Sequence, residues 1–397
     1  MNRNRQIVAK KLLVQLSYPV DCKNTASRNF MSAIYDLLDD YLLEYETQKS
    51  ETEFKSLNQA VDRLDIAMQE HALTTRLQGL REAVAMSKKL ADRPVSLVFD
   101  FYLASELIGT ANDMVEGLKV VRPAAMESRS VDYELKSQRI GLNNLLASAY
   151  ALVDPLGFGR EIQEVGLIVE ASPLTDNEDL CVGLGAQYEV QIASGNFQAA
   201  KQLRDEIWAH ARMLEDPLYY LHAAAFDCGL AFAVEDWQGM IDAASDCMQM
   251  IAPSNGTVAT VDGESVDLKN DADFRVVSAA HACGLAKLGL GQQIAQLETS
   301  NSESDLPASF HFYRYWIDCH LALRNPSIAT SLAVESWQEI TGKGQSYREV
   351  QSLCQLIRCL QADGRQDEVA DWARLARAAA TRLRDPEPML KQIQSLL

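Results

Sequence analysis

The densest group of side chains able to do chemistry is Phe310-His311-Phe312-Tyr313-Arg314-Tyr315-Trp316. Seven consecutive residues on a helix point all round it. Tyr313, Trp316, His320 and Leu323 share one side, and Phe312 and Tyr315 share another. A helix packed on two sides buries such rings. In a groove, Tyr and Trp anchor a protein contact instead. Both readings stand at this point, and Tyr313, Arg314, Tyr315 and Trp316 are candidates for the second. His210, His222, His281, His311 and His320 contain no HxxxH or HExxH pair, so no metal is expected. Asp36, Asp39, Asp40 and Glu44 form an acidic cluster on one helix. Holding magnesium would need a second Asp-rich helix with matching spacing, and none stands out, so a solvated face is expected. GxxxxGK[ST] and GxSxG are missing, and Gly183-Leu184-Gly185 and Leu288-Gly289-Leu290-Gly291 follow no strand. The expectation is a protein that is not an enzyme and takes no cofactor.

Composition narrows the partners. The formal charge is −18 over 397 residues, which repels nucleic-acid phosphates and anionic lipid. Arg3, Arg5, Lys10 and Lys11 make a short basic start, either a solvated helix end or a small docking arm. Lys10 and Lys11 also interrupt any apolar leader, and no uncharged run of membrane-spanning length occurs. Apolar residues are 47% of the chain, enough for an extended core. The eight cysteines are Cys22, Cys181, Cys228, Cys247, Cys283, Cys319, Cys354 and Cys359, with no CxxC pair. Scattered among Ala and Leu, they read as small buried apolar groups in a reducing cytoplasm.

These side chains must be positioned by helices. Apolar stripes at helical spacing run through Phe30, Ile34, Leu37, Leu38, Tyr41 and Leu42, then Leu57, Val61, Leu64 and Met68. Val95, Leu97, Val98, Phe101, Leu103 and Leu107 follow, opened by Pro94, and Leu142, Leu145, Leu146, Tyr150 and Leu152 come later. The breaks recur. Phe197 of Gly195-Asn196-Phe197 and Trp237 of Glu235-Asp236-Trp237 lie 40 residues apart. Pro326 of Arg324-Asn325-Pro326 and Gln366 of Gly364-Arg365-Gln366 are also 40 apart. Gly157-Phe158-Gly159 lies 39 residues before Phe197, and Leu288-Gly289-Leu290-Gly291 is a related turn. A turn near every 40 residues with a helix on each side indicates stacked helix hairpins.

Gly195, Asn196, Phe197 and Ala200, with Asp236 and Trp237, resemble the turn of tetratricopeptide-type repeats, and Asp216-Pro217 resembles the junction between units. The period is longer than the family's 34. The likeness covers about residues 155–397. It implies an all-α fold, an α-solenoid or superhelix of antiparallel helix hairpins, whose first helices line a concave groove. Those helices are expected at about 178–193, 217–233, 273–288, 307–323 and 345–361. Tyr188, Tyr220, His222, Arg275, Arg314 and Arg348 fall on them as exposed groove candidates. Residues 1–120 read as an N-terminal helical region and 121–397 as the repeat array. Residues 253–271 interrupt the array. Asp262-Gly263 between two β-prone runs suggests a small β-hairpin near 256–269. Residues 299–306 are a polar loop, and Pro307 begins the next helix. The expected function is a scaffold or adaptor that binds a partner protein or peptide in the groove, a basic one given the charge. The alternative is a regulatory or sensor module holding a small ligand between helices.

Overall fold

A computed structural model describes residues 50–397, except 71, 91, 131–135, 171–176, 215–216, 252–257, 262–263, 269–270 and 297–308. The basic residues 3–11, Cys22, the acidic cluster at 36–44, the polar loop 299–306 and Pro307 lie outside the described residues.

The helices in chain order are α1 (Glu51–Met68), α2 (Leu73–Ser87), α3 (Arg93–Ser105), α4 (Met114–Ser130), α5 (Lys136–Val153) and α6 (Gly159–Glu170). Next come α7 (Asn177–Ala193), α8 (Phe197–Leu214), α9 (Pro217–Ala233), α10 (Trp237–Ile251) and α11 (Ala272–Lys287). The chain finishes with α12 (Phe310–Ala322), α13 (Pro326–Ile340), α14 (Ser346–Ala362), α15 (Gln366–Ala380) and α16 (Glu387–Ser395). The start signals are local. Ser50 and Glu53 form a capping box on α1, Asp92 caps α3 ahead of Pro94, and Ser309 accepts from the Phe312 N–H to open α12. β1 (Val258–Val261) pairs antiparallel with β2 (Glu264–Asp267), Val258 opposite Asp267, and touches α9. The Asp262-Gly263 pair lies outside the described residues. Two four-residue strands leave the class unchanged, and the body is all-helical.

Consecutive helices pack against each other, and α3, α5, α7 and α9 also touch in series, as do α9 with α11 and α12 with α14. Helix α14 shows what holds such a layer. It buries Val350, Leu353, Leu356, Ile357 and Leu360, facing Val369, Ala373, Ala376 and Ala380 of α15. Each large aliphatic side chain so buried stabilises by roughly 1.5–3 kcal/mol.

Five turns share one geometry. The Gly195 N–H donates to the Ile192 carbonyl at 3.1 Å and the Asn196 N–H to the Gln191 carbonyl at 2.9 Å. The same pair of bonds recurs at Glu235 and Asp236, Gly289 and Leu290, Arg324 and Asn325, and Gly364 and Arg365. This is the Schellman ending, with a left-handed residue after the last helical one. The five φ angles are +74°, +60°, +75°, +60° and +76°. Helix resumes two residues later each time, as 3-10 helix at Gly291. The turn at 157–159 differs. There the Asp154 carboxylate accepts from the Gly157 N–H at 2.9 Å, and no left-handed residue is used.

The early and late helices meet. Helix α5 packs on α14. The Met114 N–H donates to the Lys343 carbonyl at 2.8 Å, and the Gln345 side-chain amide donates to the Asn112 carbonyl at 3.1 Å. The Arg384 N–H donates to Asp154 at 2.8 Å, and its guanidinium lies 3.7 Å from the Phe158 ring centre. Gly344 permits the approach. Its φ is +82°, and a Cβ there would sit 2.9 Å from Val115. Residues 120 and 121 both lie inside α4, and one buried apolar cluster runs from Leu57 to Val190. The helices before 120 and those after it therefore share a core.

Candidate functional site

The closing of the coil changes where the groove candidates go. Helix α12 carries two faces. On one, Arg275 of α11 lies 4.7 Å from the Phe312 ring centre, with Tyr313 and Trp316 beside it. On the other, His311, Arg314 and Tyr315 turn inward toward α7, α9 and α14. Gly229 of α9 makes this meeting close. A Cβ there would lie 3.1 Å from the Tyr188 hydroxyl and 3.8 Å from the Tyr315 hydroxyl. Tyr188 donates to the Phe226 carbonyl at 2.8 Å and packs edge-on to its ring, while Tyr315 packs on Phe232.

Four candidates are therefore not on an open face. Tyr188, Arg275, Tyr315 and Trp316 are buried, Tyr315 to 1% exposure. They fill space between helices. Tyr220 stacks on Trp208, and the His222 Nδ1 lies 3.0 Å from the Asp273 carboxylate. The structure brings Tyr188, Arg314, Tyr315 and Arg348 together, and keeps Tyr220, His222, Arg275, Tyr313 and Trp316 apart from them.

The inner cluster is charged. Glu189 of α7, His311 and Arg314 of α12, and Arg348 of α14 converge. The His311 Nε2 lies 3.3 Å from an Arg348 nitrogen and 3.6 Å from a Glu189 oxygen. Phe232 lies under Arg314 at 4.3 Å and Phe310 under Arg348 at 5.7 Å, aromatic platforms for the two cations. Glu189 and His311 sit deep in the protein, yet water reaches 27% and 26% of their side chains. Burial would raise the Glu189 carboxyl, but the His311 hydrogen bond and the charges of His311, Arg348 and Arg314 bring it down to about 2. Burial pushes His311 below its usual value, against the pull of Glu189. With its value lowered, His311 is neutral at pH 7, where its Nε2 can accept from Arg348; its charge and its bond to Glu189 belong to the protonated ring at acid pH.

A second charged centre lies further along the same helices, where the buried Asp318 meets Lys287 at 3.1 Å and Arg358 at 3.5 Å. A third feature is a cleft of about 450 Å³ on the outer layer, lined by Arg204, Trp208, Arg212, Asp227 and Met250 among others. Asp227 is held by Arg204 and by the Trp208 indole N–H. Among the described residues, no three His, Cys, Asp or Glu gather as a metal site, and no helix is long and apolar enough to cross a membrane. The seven described cysteines are buried and form no disulfide among the described residues, and burial holds their thiols up where that is resolved, for example Cys354 at about 12.

Sequence reading singled out Arg314 and Arg348 but missed Glu189, Phe226 and Phe232, and considered His311 only as a ligand or a ring. Glu189 beside Tyr188 was the available signal, the one charged residue of α7 after Asp179. No family model and no curated protein matches the chain.

Proposed function

We propose that the protein is a tetratricopeptide-like solenoid and works as a non-catalytic scaffold for a partner protein. One observation carries this: four of the five matching helix ends set exposed apolar side chains beside them. Phe197, Val234, Leu288, Leu290 and Ile328 are all solvent-exposed and lie within four residues of a left-handed turn residue. Hairpins stacked side by side bring such turns to one edge. A row of apolar side chains on that edge is a surface a folded partner covers. This moves the partner site from the concave face, which the chain's own tyrosines fill, to the turn edge. The −18 charge favours a partner whose apolar patch is ringed by basic groups. The proposal takes the cytoplasm as its compartment, on the free thiols.

The test is affinity capture with the full chain against the triple variant Phe197→Asp, Val234→Lys, Ile328→Asp. Capture of a defined partner by the wild type, its loss in the variant and an unchanged Tm are expected. A partner retained equally by the variant refutes the turn edge. A second reading, a regulatory module with a small ligand between helices, draws on a separate observation, the two arginines of the inner cluster.

A further inference from the structure

We propose that Arg314 and Arg348 form a binding site for a small carboxylate inside the coil, with His311 and Glu189 as its neighbours. This develops the second reading and is independent of the turn edge. The argument starts from unused donors. Two guanidiniums carry ten N–H groups. Among the described residues, the hydrogen bond of this pair is the one from Arg348 to His311 at 3.3 Å. Arg314 has no hydrogen bond or ion pair there, and its recorded partner is the face of Phe232. Arg348 sits deep in the protein and Arg314 is half-buried, and cations so placed with open donors ask for an acceptor.

Three further features agree. The two cations act on one carboxylate, Glu189, and His311 is neutral at pH 7, so these four side chains carry a net charge of about one positive unit within a chain of −18. An anion is attracted here while the outer surface repels it. His311 and Arg314 stand near the start of α12, and Arg348 stands in the first turn of α14. Helix starts carry partial positive charge, and Gln345 gives α14 no side-chain cap. The Phe232 and Phe310 platforms fix where the guanidiniums sit, which suits the paired bonds of a planar carboxylate. A single carboxylate matches the net charge, and Glu189 is placed to accept from a hydroxyl or ammonium on the same ligand.

The experiment is a calorimetric and thermal-shift titration of the full chain at pH 7 and constant ionic strength. Acetate, lactate, glycine, succinate and inorganic phosphate are the probes, with chloride as baseline, and a peptide ending in a free carboxylate is a separate arm. The expected result is saturable binding of at least one small carboxylate, weakened tenfold or more in both Arg314→Gln and Arg348→Gln. Should either variant fail to fold, Arg314→Lys keeps the charge, loses the fork, and is expected to weaken binding several-fold. Glu189→Gln is expected to tighten binding of acetate, which offers Glu189 no donor. Phosphate bound in preference to every carboxylate overturns the assignment, as does binding confined to the peptide arm. No saturable binding by any probe, or binding unchanged in all arginine variants, also overturns it.

Discussion

Residues 50–170 and residues 177–397 both join helix to helix, but by different means. In the later region five joints use one Schellman ending. Among the described joints of the earlier region that ending is not used. Helix α3 runs into a π-helical turn, Glu106–Thr110, followed by Asn112 at φ +54°. Helix α4 carries Pro123 inside it, and the α5–α6 joint hangs on Asp154. A repeated joint depends on its own few residues. A single joint leans on distant partners: Glu106 on Arg76 at 3.2 Å, and Asp154 on Arg384. The first kind tolerates change one unit at a time, while the second does not.

The largest effect is expected from Arg76→Ala. It strands the buried Glu106 carboxylate, and a loss of about 3–5 kcal/mol is expected in urea unfolding at pH 7. Burial already raises Glu106, so its ionised form disfavours the fold. The deficit should therefore grow as pH rises above 4.5 and shrink below it. An equal deficit at both ends of that range contradicts the buried pair.

Next is Gly344→Val, which puts a branched side chain at φ +82° against Val115. A cost of about 2–4 kcal/mol is expected. All five tryptophans, Trp208, Trp237, Trp316, Trp337 and Trp372, lie in the later region, so fluorescence reports that region and circular dichroism reports both. The two transitions should coincide in the wild type and separate in the variant. Coincidence in both would mean the closure does not couple the regions.

Acid titration probes the inner cluster. Glu189 is held at about 2 against 4.5 when free, so its stabilisation is present above pH 4.5 and lost as pH falls toward 2. At most about 3 kcal/mol is involved. Glu189→Gln should lack this loss, and parallel curves for both proteins would refute it. The smallest effect sharpens the later region. Glu235 and Arg324 occupy the left-handed position that Gly195, Gly289 and Gly364 fill elsewhere. Glu235→Gly and Arg324→Gly should each stabilise by about 0.5–1 kcal/mol in thermal unfolding. A loss of stability at both would show that these side chains do more than tolerate the turn.

The same contrast explains what the sequence disclosed. The inner helices expected at 178–193, 217–233 and 345–361 are observed at Asn177–Ala193, Pro217–Ala233 and Ser346–Ala362. Their ends are marked locally by Gly195, Asp236 and Gly364. The closure was silent: the bond from Met114 to Lys343 is backbone to backbone, and the partners of Gln345 and Arg384 lie more than 220 residues away in sequence. Without the closure, Tyr188 and Tyr315 read as residues of an open trough. How tightly the hairpins coil depends on small residues such as Gly229, whose effect is felt only when helices from three units converge. The charge of the inner cluster was equally hidden, since the total of −18 says nothing about where Glu189, Arg314 and Arg348 meet.

The closure also sets a clock on synthesis. Asp154 and Glu161 wait for Arg384, more than 220 residues behind them. At about 5–20 residues per second, the ribosome delivers that partner roughly 10–45 s later. For most of that interval the face of α5 that will meet α14 has no partner helix. The growing chain therefore passes through an open, sticky stage that the finished protein never shows, and any factor shielding this face would act only before the last helices emerge.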